Sequence, residues 1–302
     1  MIRKKNLIQI LVVITLLFLT GCNSNEGLSD DSTKEAKTER ALMSLDKNDY
    51  NEAASLFKEL TDQYPNDNQL KGYYSSALAG QAGLDTFNLM KTIDSLNDNS
   101  SSNDTIELVG RTLTGKTTSD PTLTGSDVSS KSSMFELAMD ALLKISGTTY
   151  TGTVTTRSST ARAILANSGL DKNKFNNDEL VQLGLMAINH AILTMADIIF
   201  QDNKNLTKIT LTETGIKEIY KDNPMDLTNI TTYITENKLL YKLSIDIELI
   251  GYAIDAISSF MNQDNQGSND IKDQFNEFKN KIDPNGDNDI TQAELESYIN
   301  SL

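Results

Sequence analysis

Oxygen-bearing side chains stand at every second position near the C-terminus: Asp283, Asn285, Asp287, Asp289 and Thr291, with Glu294 three residues further on. Carboxylate, amide and hydroxyl oxygens in that rhythm suit a hard cation. Ca²⁺ takes about six to eight oxygens, and a twelve-residue loop wrapped round the ion delivers them at alternating positions. The expected roles follow in order. Asp283, Asn285 and Asp287 offer side-chain oxygens, and Asp289 offers its backbone carbonyl. Thr291 binds directly or through a water, and Glu294 clamps the ion with both carboxylate oxygens. Ile290 points inward and packs.

Such a loop needs a helix on each side to hold it closed. Ile271, Phe275, Phe278 and Ile282 repeat at spacings of four, three and four, which predicts one buried face of an entering helix. Leu295, Tyr298, Ile299 and Leu302 predict one face of an exit helix. Over its whole length the loop resembles the EF-hand family, which implies Ca²⁺ as the bound ion. One position departs from the family pattern: Asn288 stands where a Gly normally makes a left-handed turn. Asn tolerates that conformation at a cost of roughly 1 kcal/mol, about fivefold in affinity. Thr291 and Glu294 also form a helix capping box, which is compatible with metal binding. EF-hands usually pair, yet this chain offers a single one. Asp171-Lys172-Asn173 begins in a similar way, but Phe175 then occupies a ligand position.

The chain's 302 residues leave room for two modest domains, and 42 acidic against 27 basic residues give a net charge of −15. That balance argues against nucleic acid as a partner, because a phosphate binder needs a basic face. Arg3, Lys4 and Lys5 precede a mostly apolar run, Leu7 to Leu19, that ends in Leu19-Thr20-Gly21-Cys22. This resembles the lipobox of bacterial lipoproteins. The resemblance implies cleavage after residue 21, acylation of Cys22, and anchoring to a membrane through a diacylglyceryl-Cys. The apolar run is short for a membrane span. The protein has one Cys, so no internal disulfide competes for it. Asn23 follows Cys22, which in a diderm host favours the outer membrane. Residues 22 to 36 then read as the lipidated Cys and a flexible tether.

Residues 37 to 96 read as helical. Asn48-Asp49-Tyr50, Ala53, Phe57, Leu60 and Pro65 fall at the spacing of a tetratricopeptide repeat, with a small residue, Ala41, in the preceding helix. The resemblance covers one good copy, and a second, degraded copy would run from Gly72 to Leu96. It leaves two readings open, a peptide-binding surface for a protein partner or a hairpin that packs on the rest of the chain. Residues 97 to 132 are rich in Ser, Thr, Asn and Asp and read as a partly disordered loop. Within them, Gly110-Arg111-Thr112-Leu113-Thr114-Gly115-Lys116-Thr117 spells a phosphate-loop pattern. A strand at Thr105 to Val109 could precede it, but Pro121 and Gly125 exclude the helix that must follow. No nucleotide is therefore expected.

Residues 133 to 262 read as the main helical body, and residues 263 to 302 as linker and metal-binding hairpin. Asp178 to Phe200 carries no charge from Leu180 to Ala196 and is apolar nearly all round, which predicts a buried helix rather than a membrane span. Leu243, Ile247, Ile250, Ile254, Ile257 and Met261 predict a second long helix. Thr210 to Tyr220 and Asp226 to Tyr233 predict shorter ones around Pro224. The single His, His190, has no Cys or His partner for a metal, and is expected to be a satisfied core residue. With no nucleophile elbow either, no catalytic constellation is expected. The sequence thus predicts an all-α lipoprotein of the cell envelope: a helical bundle with a tetratricopeptide-like N-terminal hairpin and a C-terminal EF-hand. A Ca²⁺-dependent role leads, and a scaffold with incidental metal is the alternative.

Overall fold

The computed structural model describes residues 32–85, 105–116, 120–150, 171–260 and 267–302. Cys22 and the leader lie outside the described residues, as do most of the tether and Thr160 to Asn167, which the sequence reads as a short helix. The fold is an all-α bundle with one two-stranded ribbon. Three helices open it: α1 (Lys34–Asp46), α2 (Tyr50–Gln63) and α3 (Asn68–Ala82). Each starts on a side chain that accepts from its first free amides: Thr33, Asp49 and Asp67. Ala41, Ala53 and Phe57 are fully buried between them. Gly80 of α3 lies against Tyr50, where a Cβ would come within 2.3 Å of the ring. The other side of α3 packs on α5 (Gly125–Leu143), with Ser75 Oγ donating to the Ala138 carbonyl at 2.8 Å. Helix α3 therefore links the opening hairpin, α1 and α2, to the body. The second helix of a degraded repeat, Thr86 to Leu96, lies outside the described residues.

The stretch expected to be a loop, 97–132, holds structure. Thr105–Thr114 forms α4, with Ile106, Leu108, Val109 and Leu113 buried. Gly110 sits mid-helix against Leu211, where a Cβ would stand 2.8 Å from the Leu211 carbonyl oxygen. The first five residues of the phosphate-loop pattern, Gly110 to Thr114, thus fall on a packed helix, and the strand read at Thr105 to Val109 is helical. β1 (Thr122–Thr124) follows and pairs antiparallel with β2 (Lys208–Thr210), Leu123 opposite Ile209. Helix α5 begins at Gly125, nine residues before Met134, where the apolar sequence alone would start it. A capping box between Thr124 and Asp127 starts it there, and Val128 is already fully buried.

The core is built round α6 (Asn177–Asp202), which starts on a capping box of Asn176 and Glu179. It packs between α5 and α9 (Leu239–Phe260). Although α6 is long and apolar enough to cross a membrane by composition, most of it is buried inside the bundle. At Gly184 the two long helices come close: a Cβ there would lie 2.1 Å from Ala253 Cβ. Two shorter helices, α7 (Glu213–Tyr220) and α8 (Thr231–Glu236), bracket the turn at Pro224. The strand β2 takes the first residue of the helix expected from Thr210, so α7 starts on a Thr212 cap. The C-terminal hairpin, α10 (Gly267–Ile282) and α11 (Gln292–Ser301), packs α10 on α9 and α11 on α7.

Candidate metal centre

The two helices of the hairpin meet through the faces their periodicity demanded. Phe275, Phe278 and Ile282 from α10 and Leu295, Tyr298 and Ile299 from α11 are all buried. Phe278 and Tyr298 meet edge to face, ring centres 6.1 Å apart. Helix α10 ends at Ile282, and Asp283 starts the loop with its carboxylate fully enclosed. One Asp283 oxygen accepts from the Gly286 amide and the other from the Asn288 amide, each at 3.0 Å. The loop thereby curls round its first residue. Gly286 and Asn288 make the sharp steps, with φ of 72° and 62°. Asn288 adopts the left-handed conformation that its place in the pattern requires.

The remaining expected ligands alternate along the same arc. Asn285 Oδ1 accepts from the Asp287 amide, and Asp287 Oδ1 from the Asp289 amide, both at 2.8 Å. Glu294 reaches back across the loop. One oxygen accepts from Asn285 Nδ2 at 2.8 Å, and the other from the Thr291 amide at 2.9 Å. Burial pushes the Asp289 carboxyl above its usual range, and the charges of Asp287, Glu294 and Asp283 push it the same way. The loop therefore concentrates negative potential, and every expected ligand is an oxygen donor of the kind a hard cation takes. Among the described residues, no three His, Cys, Asp or Glu side chains stand in a metal-holding arrangement. Asp283 is turned to the two amides and to Lys279, whose Nζ is 3.3 Å from Oδ2, while Glu294 is turned to Thr291 and Asn285.

Sequence reasoning had no way to find the groups that hold this loop on the body. The Ile290 amide donates to Ser244 Oγ on α9 at 2.8 Å. Asn288 Nδ2 donates to Glu248 at 2.6 Å, one turn further along α9, and Lys279 Nζ donates to Asn288 Oδ1. Asn300 of α11 brackets the backbone of Met225, and Glu296 accepts from the Leu227 amide at 2.7 Å. The loop is thus held on the body chiefly by α9.

A second polar cluster lies inside the bundle. His190 on α6 is fully buried, and its Nδ1 is 2.7 Å from Asp246 of α9. Nε2 lies 3.3 Å from Glu136 of α5, which also accepts from Lys242 of α9 at 2.6 Å. The Tyr150 hydroxyl, also buried, is 3.2 Å from Nδ1 and donates to the Lys242 carbonyl. Burial alone would lower the His190 pKa, but Asp246 and then Glu136 outweigh it and raise it to about 9. Burial pushes Glu136 up, yet His190 and Lys242 hold it down at about 2. His190 is thus a charged link between three helices, shut off from solvent.

No protein-family model, curated protein or solved structure matches this chain.

Proposed function

We propose that the chain is a calcium-binding, lipid-anchored protein of the cell envelope, in which the Asp283–Glu294 loop holds one Ca²⁺. The observation that carries this reading is the loop's path: the Asp283 carboxylate gathers two amides, and Asn288 stands left-handed at φ 62°. A helix-turn-helix with a plain cap needs neither feature. Asp283, Asn285, Asp287, Asp289, Thr291 and Glu294 would supply the oxygens. Bound Ca²⁺ would neutralise the crowded carboxylates and fix the loop against α9. Extracellular modules of this kind work at about 10⁻⁴ to 10⁻³ M Ca²⁺, so steady occupancy and a structural role follow outside the cytosol. Cys22 would fix the molecule to the membrane.

The test is a thermal melt of the full chain in detergent, in chelator, Mg²⁺ or Ca²⁺, beside an Asp283→Ala, Glu294→Ala variant. At a Ca²⁺ concentration about 100 times the dissociation constant, linkage gives roughly 2.7 kcal/mol of stabilisation. The wild type should gain several degrees in Ca²⁺ and the variant none. Equal melts for both at millimolar Ca²⁺ would remove the reading.

The alternative is a tetratricopeptide-type scaffold for envelope assembly or transport, with metal incidental. Half-exposed Met43 on α1 favours it, as an apolar side chain free to meet a protein partner. Against it, one side of α3 is already filled by α5.

A further inference from the structure

A buried carboxylate needs a compensating charge, and Asp283 has one built in. Its side chain is fully enclosed, and Lys279, one turn earlier on α10, places its ammonium 3.3 Å from Oδ2. The Lys279 side chain is itself only 19% exposed. Its stem runs past Gly251 of α9, where even a Cβ would come no nearer than 3.9 Å to Cε. The same ammonium donates to the Asn288 carbonyl oxygen, and the other end of that amide donates to Glu248. A cation therefore already stands at the first ligand of the loop, tethered by a flexible stem.

We propose that Lys279 is the loop's internal counter-cation, displaced from Asp283 as Ca²⁺ enters, and that this exchange sets the loop's affinity. The inference rests on the calcium reading. A divalent ion that draws on Asp283 repels an ammonium a few ångströms away, and the two cannot share that carboxylate at full strength. An ammonium on a four-carbon stem can swing aside at little cost, which a rigid guanidinium cannot do as freely. Glu248, held at the far end of the Asn288 amide, is the acceptor on that side. Calcium entry would then pass a positive charge from the loop to α9, so the metal and the body helix are coupled through Lys279, Asn288 and Glu248. Lys279 is in this sense an affinity-determining residue and not a ligand.

The experiment is calorimetric titration of Ca²⁺ into the full chain in detergent, wild type beside Lys279→Met, with melts of both in chelator. Methionine keeps the stem and removes the charge. The variant should bind Ca²⁺ roughly tenfold more tightly, because the competing cation is gone, and should melt lower in chelator. Wild-type binding with an unchanged or weaker variant would overturn the inference and leave the calcium reading standing. Binding by neither protein would remove the calcium reading and the inference with it. Should Lys279→Met fail to fold, the ¹⁵Nζ resonance of Lys279 in the wild type decides, assigned by its loss in Lys279→Arg. It should shift when Ca²⁺ is added, and an unmoved resonance in a calcium-bound protein would overturn the exchange.

Discussion

Raising the pH from 6.5 to above 9 should cost this protein about 3 kcal/mol of stability through one residue. His190 is the only histidine in the chain, and in the folded state its pKa rises from 6.5 to about 9. At 1.36 kcal/mol per unit, that displacement corresponds to about 3 kcal/mol. A pKa that is higher in the folded state contributes its full stability below the unfolded value, near 6.5, and loses it as pH climbs through 9. The groups at the ring are Asp246 from α9, Glu136 from α5, and Tyr150, with Lys242 of α9 paired to Glu136. Glu136 works in the opposite sense. Held at about 2 in the folded state, it contributes above about 4.5 and loses that contribution as pH falls towards 2. The two displacements share the His190–Glu136 contact and are not additive. The assay is a pair of measurements on the untagged chain. Proton NMR of the histidine Cε1–H, unambiguous with one His, should show no titration from pH 5.5 to 7.5 and a midpoint near 9. Thermal melts should fall by roughly 5 °C or more between pH 6.5 and 9.5. A histidine that titrates near 6.5 in the folded protein would refute the charged link between the helices.

Two further substitutions test how the site is held and how the core is packed. Ser244→Ala removes the acceptor of the buried Ile290 amide, and should cost about 1–3 kcal/mol in denaturant titration while weakening Ca²⁺ binding in calorimetry. Gly184→Ala places a methyl 2.1 Å from Ala253 Cβ on α9, and should destabilise by roughly 1–3 kcal/mol in the same titration.

The two long core helices were legible because their signals are local. Leu180 to Ala196 has no charge to place in water, and the stripe through Leu243, Ile247, Ile250 and Ile254 defines a helix face by spacing alone. Helix α4 was hidden because it is short and its flanks are Ser- and Thr-rich, so composition outweighed the spacing of Ile106, Val109 and Leu113. The start of α5 was hidden by Ser126 to Ser133, poor helix formers, although Thr124 and Asp127 carried a capping signal in plain view. The ribbon β1–β2 joins residues some 85 positions apart, Leu123 with Ile209, which no local pattern encodes. The loop's path was readable from its residue types, including the left-handed Asn288. That Asn288 also bridges Lys279 and Glu248 was not, since Glu248 arrives from another helix. Asn there is more than a tolerated replacement for Gly: its side chain is a docking group. The partners of His190 were invisible for the same reason. A sequence shows one buried imidazole, while the charges that hold it come from α5 and α9.

Helix α9 joins the two polar clusters. Lys242 and Asp246 lie one turn apart and face the His190 cluster, and Ser244 and Glu248 lie one turn apart and face the loop between α10 and α11. An offset of two residues turns a helix by about 200°, so the two pairs occupy opposite faces. The apolar stripe of Leu243, Ile247 and Ile250, all fully buried, fills the angle between them. The α10–α11 hairpin alone would leave the Ile290 amide buried with nothing to accept from it, a cost near that of a lost hydrogen bond. Ser244 removes that cost, and in doing so makes the hairpin's stability depend on the placement of α9. The placement of α9 depends in turn on Asp246 and Lys242 being held by the charges at the centre of the bundle. The charge at His190 and the hydrogen bond from Ile290 therefore bear on the same helix from two sides.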